Sequence, residues 1–198
     1  MINLTDSIIR RIRAKGRGGV YTARDFLDFG SRAAVDKALS RLTARGQIRR
    51  ISRGVYDYPL ISNNLGPLSP LPETVAGAVA RGTNSELQIS GAHAANKLGL
   101  STQVAARVVF LTDGKSRQLR IGNQVIEFRH ASPGKMATAG TPSGTILQAL
   151  RHIGHHNIDA KAIDKLKRVL SAKDKSALKK DVNNAPDWLR PIIEMIAT

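Results

Sequence analysis

The stretch VYTARDFLDFGSRAAVDKALSRLTARGQIRRISRGVYDY, Val20–Tyr58, decides how the rest of the chain is read. Ala23 to Phe29 reads as a short helix, and Gly30-Ser31 as the turn after it. Ser31 suits an N-cap, because its hydroxyl oxygen can accept from an orphan amide of the helix that follows. That helix is expected from about Arg32 to Arg45. Gly46 stops it, since a residue without Cβ enters the left-handed conformation of a helix end at no steric cost. Two short β-like runs come next, Gln47–Ile51 and Val55–Tyr58, joined by Ser52-Arg53-Gly54. Helix, turn, helix and a basic hairpin make the pattern of a winged helix-turn-helix.

The second helix divides into faces. At 100° per residue Val35, Leu39 and Leu42 fall on one stripe, with Ala38 at its edge. The other side carries Ala33, Lys37, Ser40, Arg41 and Ala44, with Asp36 beside them. Small and basic residues there suit a helix entering a major groove about 12 Å wide. Ser31 and Arg32 stand at the N-terminal end, which in this motif meets base edges or phosphates. The hairpin adds Arg49, Arg50 and Arg53, placed to follow the backbone or enter a minor groove. The DNA-contacting set expected is therefore Ser31, Arg32, Lys37, Ser40, Arg41, Arg49, Arg50 and Arg53. Winged helices also serve as protein–protein modules, and a basic helix face also occurs as a merely solvated one. Charge favours DNA: residues 1–60 hold 13 Lys and Arg against 5 Asp, a net of +8 out of the chain's +16.

Composition sets the outer bounds. The 198 residues suffice for one large or two small domains, and with 41% apolar and 4% aromatic residues the core must be built from Ala, Leu, Ile and Val. A sequence pI near 10.9 points to an anionic partner, of which nucleic acid is the commonest. The absence of cysteine excludes disulfides, zinc fingers and thiol catalysis. No apolar run approaches the roughly 18 residues that span a bilayer. Charges interrupt every apolar run of the N-terminus, so no secretory signal is expected and a cytoplasmic location is.

Outward from the central stretch, Thr5-Asp6-Ser7 marks the start of a first helix, about Thr5–Ala14, with Ile8, Ile9 and Ile12 as its apolar stripe. Val20-Tyr21-Thr22 is expected to form a short strand pairing with the wing. Pro59–Glu73 holds four of the eight prolines and reads as a linker. The domains expected are a winged helix at 1–60, a linker at 61–72 and an α+β domain at 73–198. In the last, helices are predicted near Pro72–Arg81 and Gly91–Leu98. Strands at Ala106–Thr112, Gln118–Ile121 and Val125–Arg129 read as a β-meander. His130–Gly144 reads as a loop. Helices are predicted at Thr145–Ile153, Asp159–Leu170, Ala172–Val182 and Trp188–Ile196, with Ser143, Asn157, Ser171 and Asp187 as start signals. The fold class expected is α+β.

Few residues invite catalytic chemistry. Gly114-Lys115-Ser116 resembles the end of a P-loop, but the glycine required five positions before Gly114 is Val109, and the tripeptide joins two strands. It reads as a hairpin turn. His152, His155 and His156 gather at a helix end without a second converging segment, so capping or phosphate contact outweighs metal binding. His93 reads as a core or boundary residue on a helix packed against the sheet. Carboxylates are scattered and no serine lies in a nucleophile elbow. No catalytic residue, cofactor or metal is expected. Lys173, Lys175, Lys179 and Lys180 with Asp174 read as a solvated face or a second surface for an acidic partner, and Trp188 as packing for the last helix.

The wing end SRGVYDYP, Ser52–Pro59, and the block ISGAHAANKLGLSTQVAARVVFLTDGKSRQLRIGNQVIEFRHA, Ile89–Ala131, resemble the AbiEi-type antitoxins of bacterial type IV toxin–antitoxin systems. The resemblance covers about residues 5–155; the helices past Asp159 match less readily. It implies a two-domain repressor whose winged helix binds inverted repeats in its own promoter, and whose second domain counters a separate nucleotidyltransferase-like toxin. Carried over by position, the recognition helix is Ser31–Arg45 and the wing Arg49–Arg53. Such a protein can be monomeric in solution and place two copies on one operator. The competing readings are a lone winged-helix regulator and a nucleic-acid-processing enzyme or its RNA-binding subunit.

Overall fold

A computed structural model describes residues 3–102 and 107–198. The fold is α+β, and the chain divides into two compact units, 1–85 with 119–126 and 86–118 with 127–198.

The first unit opens with α1, Leu4–Ala14, capped by Asn3, whose side chain accepts from Thr5 N at 3.2 Å. Strand β1, Gly19–Tyr21, precedes a single 3-10 turn, Ala23–Phe26. Helix α2 spans Arg32–Ala44, and strands β2, Arg49–Ser52, and β3, Val55–Tyr58, form the wing. The sheet order is β1-β3-β2, antiparallel, with Val20 opposite Asp57 and Arg50 opposite Tyr56. Ile8 and Ile12 of α1 meet Phe26, Val35, Leu39, Leu42 and Ile48 in one core, each of them almost fully buried. Burial of this kind is worth about 1.5–3 kcal/mol per large aliphatic or aromatic side chain.

The segment expected as a helix over Ala23–Phe29 is a 3-10 turn instead. The Asp25 carbonyl, which an α-helix would offer to the Phe29 amide, accepts from Arg11 Nη1 at 3.1 Å. The Phe29 amide turns to Phe26 O at 3.0 Å. Ala23 and Phe26, the i, i+3 pair that a 3-10 turn aligns, are buried, Leu27 and Asp28 face solvent, and Phe29 packs at the edge of the core.

The expected linker carries structure as well. Strands β4, Ile61–Ser62, and β5, Gly66–Pro67, pair as a small hairpin. Helix α3, Pro72–Thr83, belongs to the first unit, so the division falls after Ser85 and not over 61–72. Arg81 near the end of α3 donates to Asp25 Oδ1 at 3.1 Å and to Val20 O at 3.2 Å. Val75, Ala76, Ala78 and Val79 are buried. Their small side chains and Gly82, where a Cβ would come within 3.0 Å of Thr22, let the helix approach closely.

In the second unit β6, Leu87–Ile89, and α4, Gly91–Lys97, precede β7, Arg107–Thr112; the Ala106 expected to open that strand lies outside the described residues. Strands β8, Arg117–Ile121, and β9, Gln124–His130, whose residues 119–126 are grouped with the first unit, belong to a sheet of order β6-β7-β9-β8. This is not the expected meander, because β9 lies between β7 and β8. The 113–116 connection crosses the end of β9 and is pinned there: the His130 amide donates to Ser116 Oγ at 2.9 Å, and Ala131 N to Thr112 O at 2.8 Å. Gly114-Lys115-Ser116 is therefore a crossing loop and not a hairpin turn. Two-residue alternation cannot reveal which strand a connection passes over.

Helices α5, Pro133–Met136, α6, Pro142–Ile153, α7, Ala160–Val169, α8, Ala172–Lys180, and α9, Arg190–Ala197, follow. Thr141 and Asp159 cap α6 and α7 in place of the expected Ser143 and Asn157; Ser171 caps α8 in a reciprocal pair with Asp174. Ser143 is instead buried and donates to Asp181. Leu147, Leu150, Leu166, Leu178, Ile193 and Ile196 form the helical core, with Trp188 packed at its side. Among the described residues no helix is long and apolar enough to cross a membrane.

Candidate nucleic-acid interface

The site is built on α2 and the wing. Ser31 Oγ accepts from Ala34 N at 3.4 Å, so the residue caps the helix. Val35, Ala38, Leu39 and Leu42 turn inward and are buried. Ala33, Lys37, Ser40, Arg41 and Ala44 are exposed, as their positions on the helix require. Gly46 ends the helix at φ +67°.

Between the outer flank of α2 and the wing lies a groove of about 540 Å³. Arg32, Asp36, Ser40 and Ala44 line it from the helix, and Arg50, Arg53 and Tyr56 from the wing. The fold thus brings Arg32 and Ser40 together with Arg50 and Arg53. Lys37 and Arg41 are exposed outside the groove on the same helix.

Arg49 departs from the expected set. Its Nε and Nη2 donate to the two oxygens of Asp57 at 3.0 and 2.6 Å, and Nη2 also reaches Leu68 O at 2.6 Å. Asp57 is 1% exposed. The carboxylate's hydrogen bonds raise the Arg49 pKa above its ordinary value. Arg49 therefore ties the wing to the 67–68 segment and is spent within the molecule. In sequence it looks like Arg50; only the strand register, which sets Arg49 opposite Asp57, separates them.

The same sorting extends across the unit. Asp25, Asp28, Asp36 and Asp57 pair with Arg81, Arg11, Arg32 and Arg49 respectively. Arg17 lies 4.6 Å over the Tyr58 ring and donates to Pro59 O. Among the described residues, the side chains of Lys37, Arg41, Arg45, Arg50 and Arg53 make no hydrogen bond or ion pair. Exposed Arg10, Arg13 and Arg24 are likewise without such a partner, and Asp36 is the one carboxylate on α2, so positive charge predominates on α2 and the wing without being confined to them.

A model of DUF6088, a family of unknown function, matches residues 7–178. The chain belongs to this family. A crystal structure of the RV2827C protein from Mycobacterium tuberculosis is similar over 98% of this chain and 76% of that one, at 14% identity and a TM-score of 0.44. No curated protein matches the chain.

In this DUF6088 member the groove also contains residues that sequence reading did not single out as contacts, namely Asp36, Thr43 and Tyr56. Tyr56 was legible only through its pairing opposite Arg50, and Asp36 through its i+4 spacing from Arg32. The histidines gather less than their spacing suggests. His155 packs edge-on to His156 and Trp188, at 5.2 and 5.5 Å between ring centroids. Among the described residues no group of three His, Asp or Glu could hold a metal ion. His93 is half-buried, its ring 6.1 Å from that of Phe110.

Proposed function

We propose that this chain is a sequence-specific DNA-binding repressor. As its resemblance to the AbiEi-type antitoxins implies, it would regulate its own operon and counter a nucleotidyltransferase-like toxin. The observation that carries the DNA reading is the partition of charge. Four carboxylates of the first unit are paired with arginines, and five cations without partners among the described residues face solvent together on α2, its C-cap and the wing, beside the exposed Arg10, Arg13 and Arg24 of the same unit. Such a face carries like-charge repulsion that an anion relieves, and duplex DNA supplies a regular array of phosphates. The exposed small side chains of Ala33, Ser40 and Ala44 keep the helix slim enough for a major groove. The two-copy reading follows from the inverted repeats expected of such operators, and the countering of a toxin rests on the resemblance alone.

The test is fluorescence anisotropy with the full chain on duplexes from the DNA upstream of its own gene, in competition with unrelated duplex. Affinity at least about a hundredfold tighter for one upstream site is expected, with steep salt dependence. Equal, weak binding to all duplexes would overturn the sequence-specific reading. For the antitoxin part, co-expression with an adjacent nucleotidyltransferase-like gene should restore growth that the gene alone arrests; unrelieved arrest would overturn it.

A further inference from the structure

Arg32 occupies the first position of α2, and its Nε donates to Asp36 Oδ2 at 2.9 Å, one turn further on. Both residues line the groove. The Arg32 side chain is 64% exposed, and among the described residues its two terminal amino groups have no partner. The pair is badly placed for helix stability. A cation in the first turn opposes the helix dipole, and a basic residue N-terminal to an acidic one is the weaker order. It is also badly placed for a phosphate, because Asp36 would repel the phosphate oxygens. Among the described residues, Lys37, Arg41, Arg50 and Arg53 are paired with no carboxylate.

What the pair does achieve is orientation. A guanidinium is a planar fork, and fixing it at Nε leaves the two terminal amino groups as a parallel pair of donors. That pair matches O6 and N7 of guanine on the major-groove edge, the commonest specific contact made by arginine. We propose that Arg32 reads a guanine in each half-site and that Asp36 is its positioning residue, holding the fork and keeping phosphate away from it. This inference rests on the DNA reading above.

The experiment is selection from randomised duplexes with the full chain, comparing the unaltered protein with Arg32→Ala and Asp36→Asn. Thermal melts of all three serve as the folding control. The unaltered chain should prefer guanine about tenfold at one position per half-site. Arg32→Ala should erase that preference and leave the others. Asp36→Asn should weaken it severalfold, whereas a pair that served only the helix would leave the guanine preference unchanged and show its loss in the melt, which would overturn the positioning role. Replacing that guanine by 7-deazaguanine, which lacks N7, should cost the unaltered chain about tenfold and leave Arg32→Ala unaffected. Retention of the guanine preference by Arg32→Ala overturns this inference and leaves the DNA reading standing. Absence of duplex binding by the unaltered chain overturns both.

Discussion

Arg49 and Asp57 face each other across β2 and β3 and are joined by two hydrogen bonds, at 3.0 and 2.6 Å, with the carboxylate shut away from solvent. Removing the arginine leaves a buried charge without its counterion, a change that costs about 3–5 kcal/mol at a fully buried pair. Arg49 itself is 37% exposed, so water can partly replace it and about 2–3 kcal/mol is expected for Arg49→Ala. Urea unfolding should show that loss. Well below the melting temperature, DNA affinity should stay within about twofold of the unaltered chain, whereas Arg50→Ala should lose affinity and keep stability. The opposite pattern would make Arg49 a contact residue.

This pair also shows where sequence reading ends. The Ile8, Ile12, Val35, Leu39 and Leu42 stripes, the Ser31 cap and the Gly46 stop are local, and each was legible from spacing and side-chain chemistry. So was the α+β class. The role of Arg49 was not, since it depends on which residue sits across a strand and on two carbonyls from a later segment. The 3-10 turn at Ala23–Phe26 depends on Arg11, fourteen positions before the carbonyl it takes. The order β7-β9-β8 depends on a crossing that leaves no trace in the alternation of the strands. Proline density at 59–73 suggested a linker, yet the hairpin β4–β5 and the Arg81 contacts place that segment in the first unit. The groove residue Asp36 was visible as a flank of the helix, but its bond to Arg32 needed coordinates.

Asp28 sets an acid limit. Arg11 donates to its two oxygens at 2.7 and 2.5 Å, and the Arg11 guanidinium lies 3.7 Å over the Phe29 ring. Those hydrogen bonds, and the charge behind them, hold the Asp28 carboxyl below its ordinary value. Between the folded and unfolded pKa the unfolded chain binds more protons, so stability rises with pH there. The contribution is complete above roughly pH 4 and disappears as pH falls through the folded value. Glu127, held low first by Arg129 and then by Arg107, acts in the same direction. Melting temperatures measured from pH 5 to pH 2 should fall less steeply for Asp28→Asn than for the unaltered chain. Parallel curves would show that the pair contributes nothing.

Two glycines separate packing from chain entropy. At Gly144, in the first turn of α6, a Cβ would collide with the Thr138 carbonyl and with Oε1 of buried Gln88. The backbone oxygen cannot move aside cheaply, so Gly144→Ala should cost about 1–3 kcal/mol or somewhat more. Gly134 lies in α5 with nothing within 4 Å of a Cβ and without a positive φ. There alanine only narrows the unfolded ensemble, and Gly134→Ala should be neutral or stabilise by up to about 1 kcal/mol. Urea midpoints of both variants give the comparison; equal midpoints would mean that α6 does not approach Thr138 as closely as described.

Lys37 and Arg41 lie one turn apart on α2, exposed and without partners among the described residues. They share the exposed side of α2 with Ala33, Ser40 and Ala44, the side that the DNA reading sets against the duplex, where both can reach phosphates. Each phosphate they neutralise releases condensed counterions and contributes about −0.9 to the slope of log affinity against log salt. Lys37→Ala with Arg41→Ala should therefore make that slope shallower by about 2 and weaken binding to every duplex alike, without changing which sequence is preferred. The melting temperature should stay put, because both side chains are exposed. An unchanged slope would mean that this side of α2 stays in water when DNA is bound, and the recognition surface would have to be sought elsewhere on the unit.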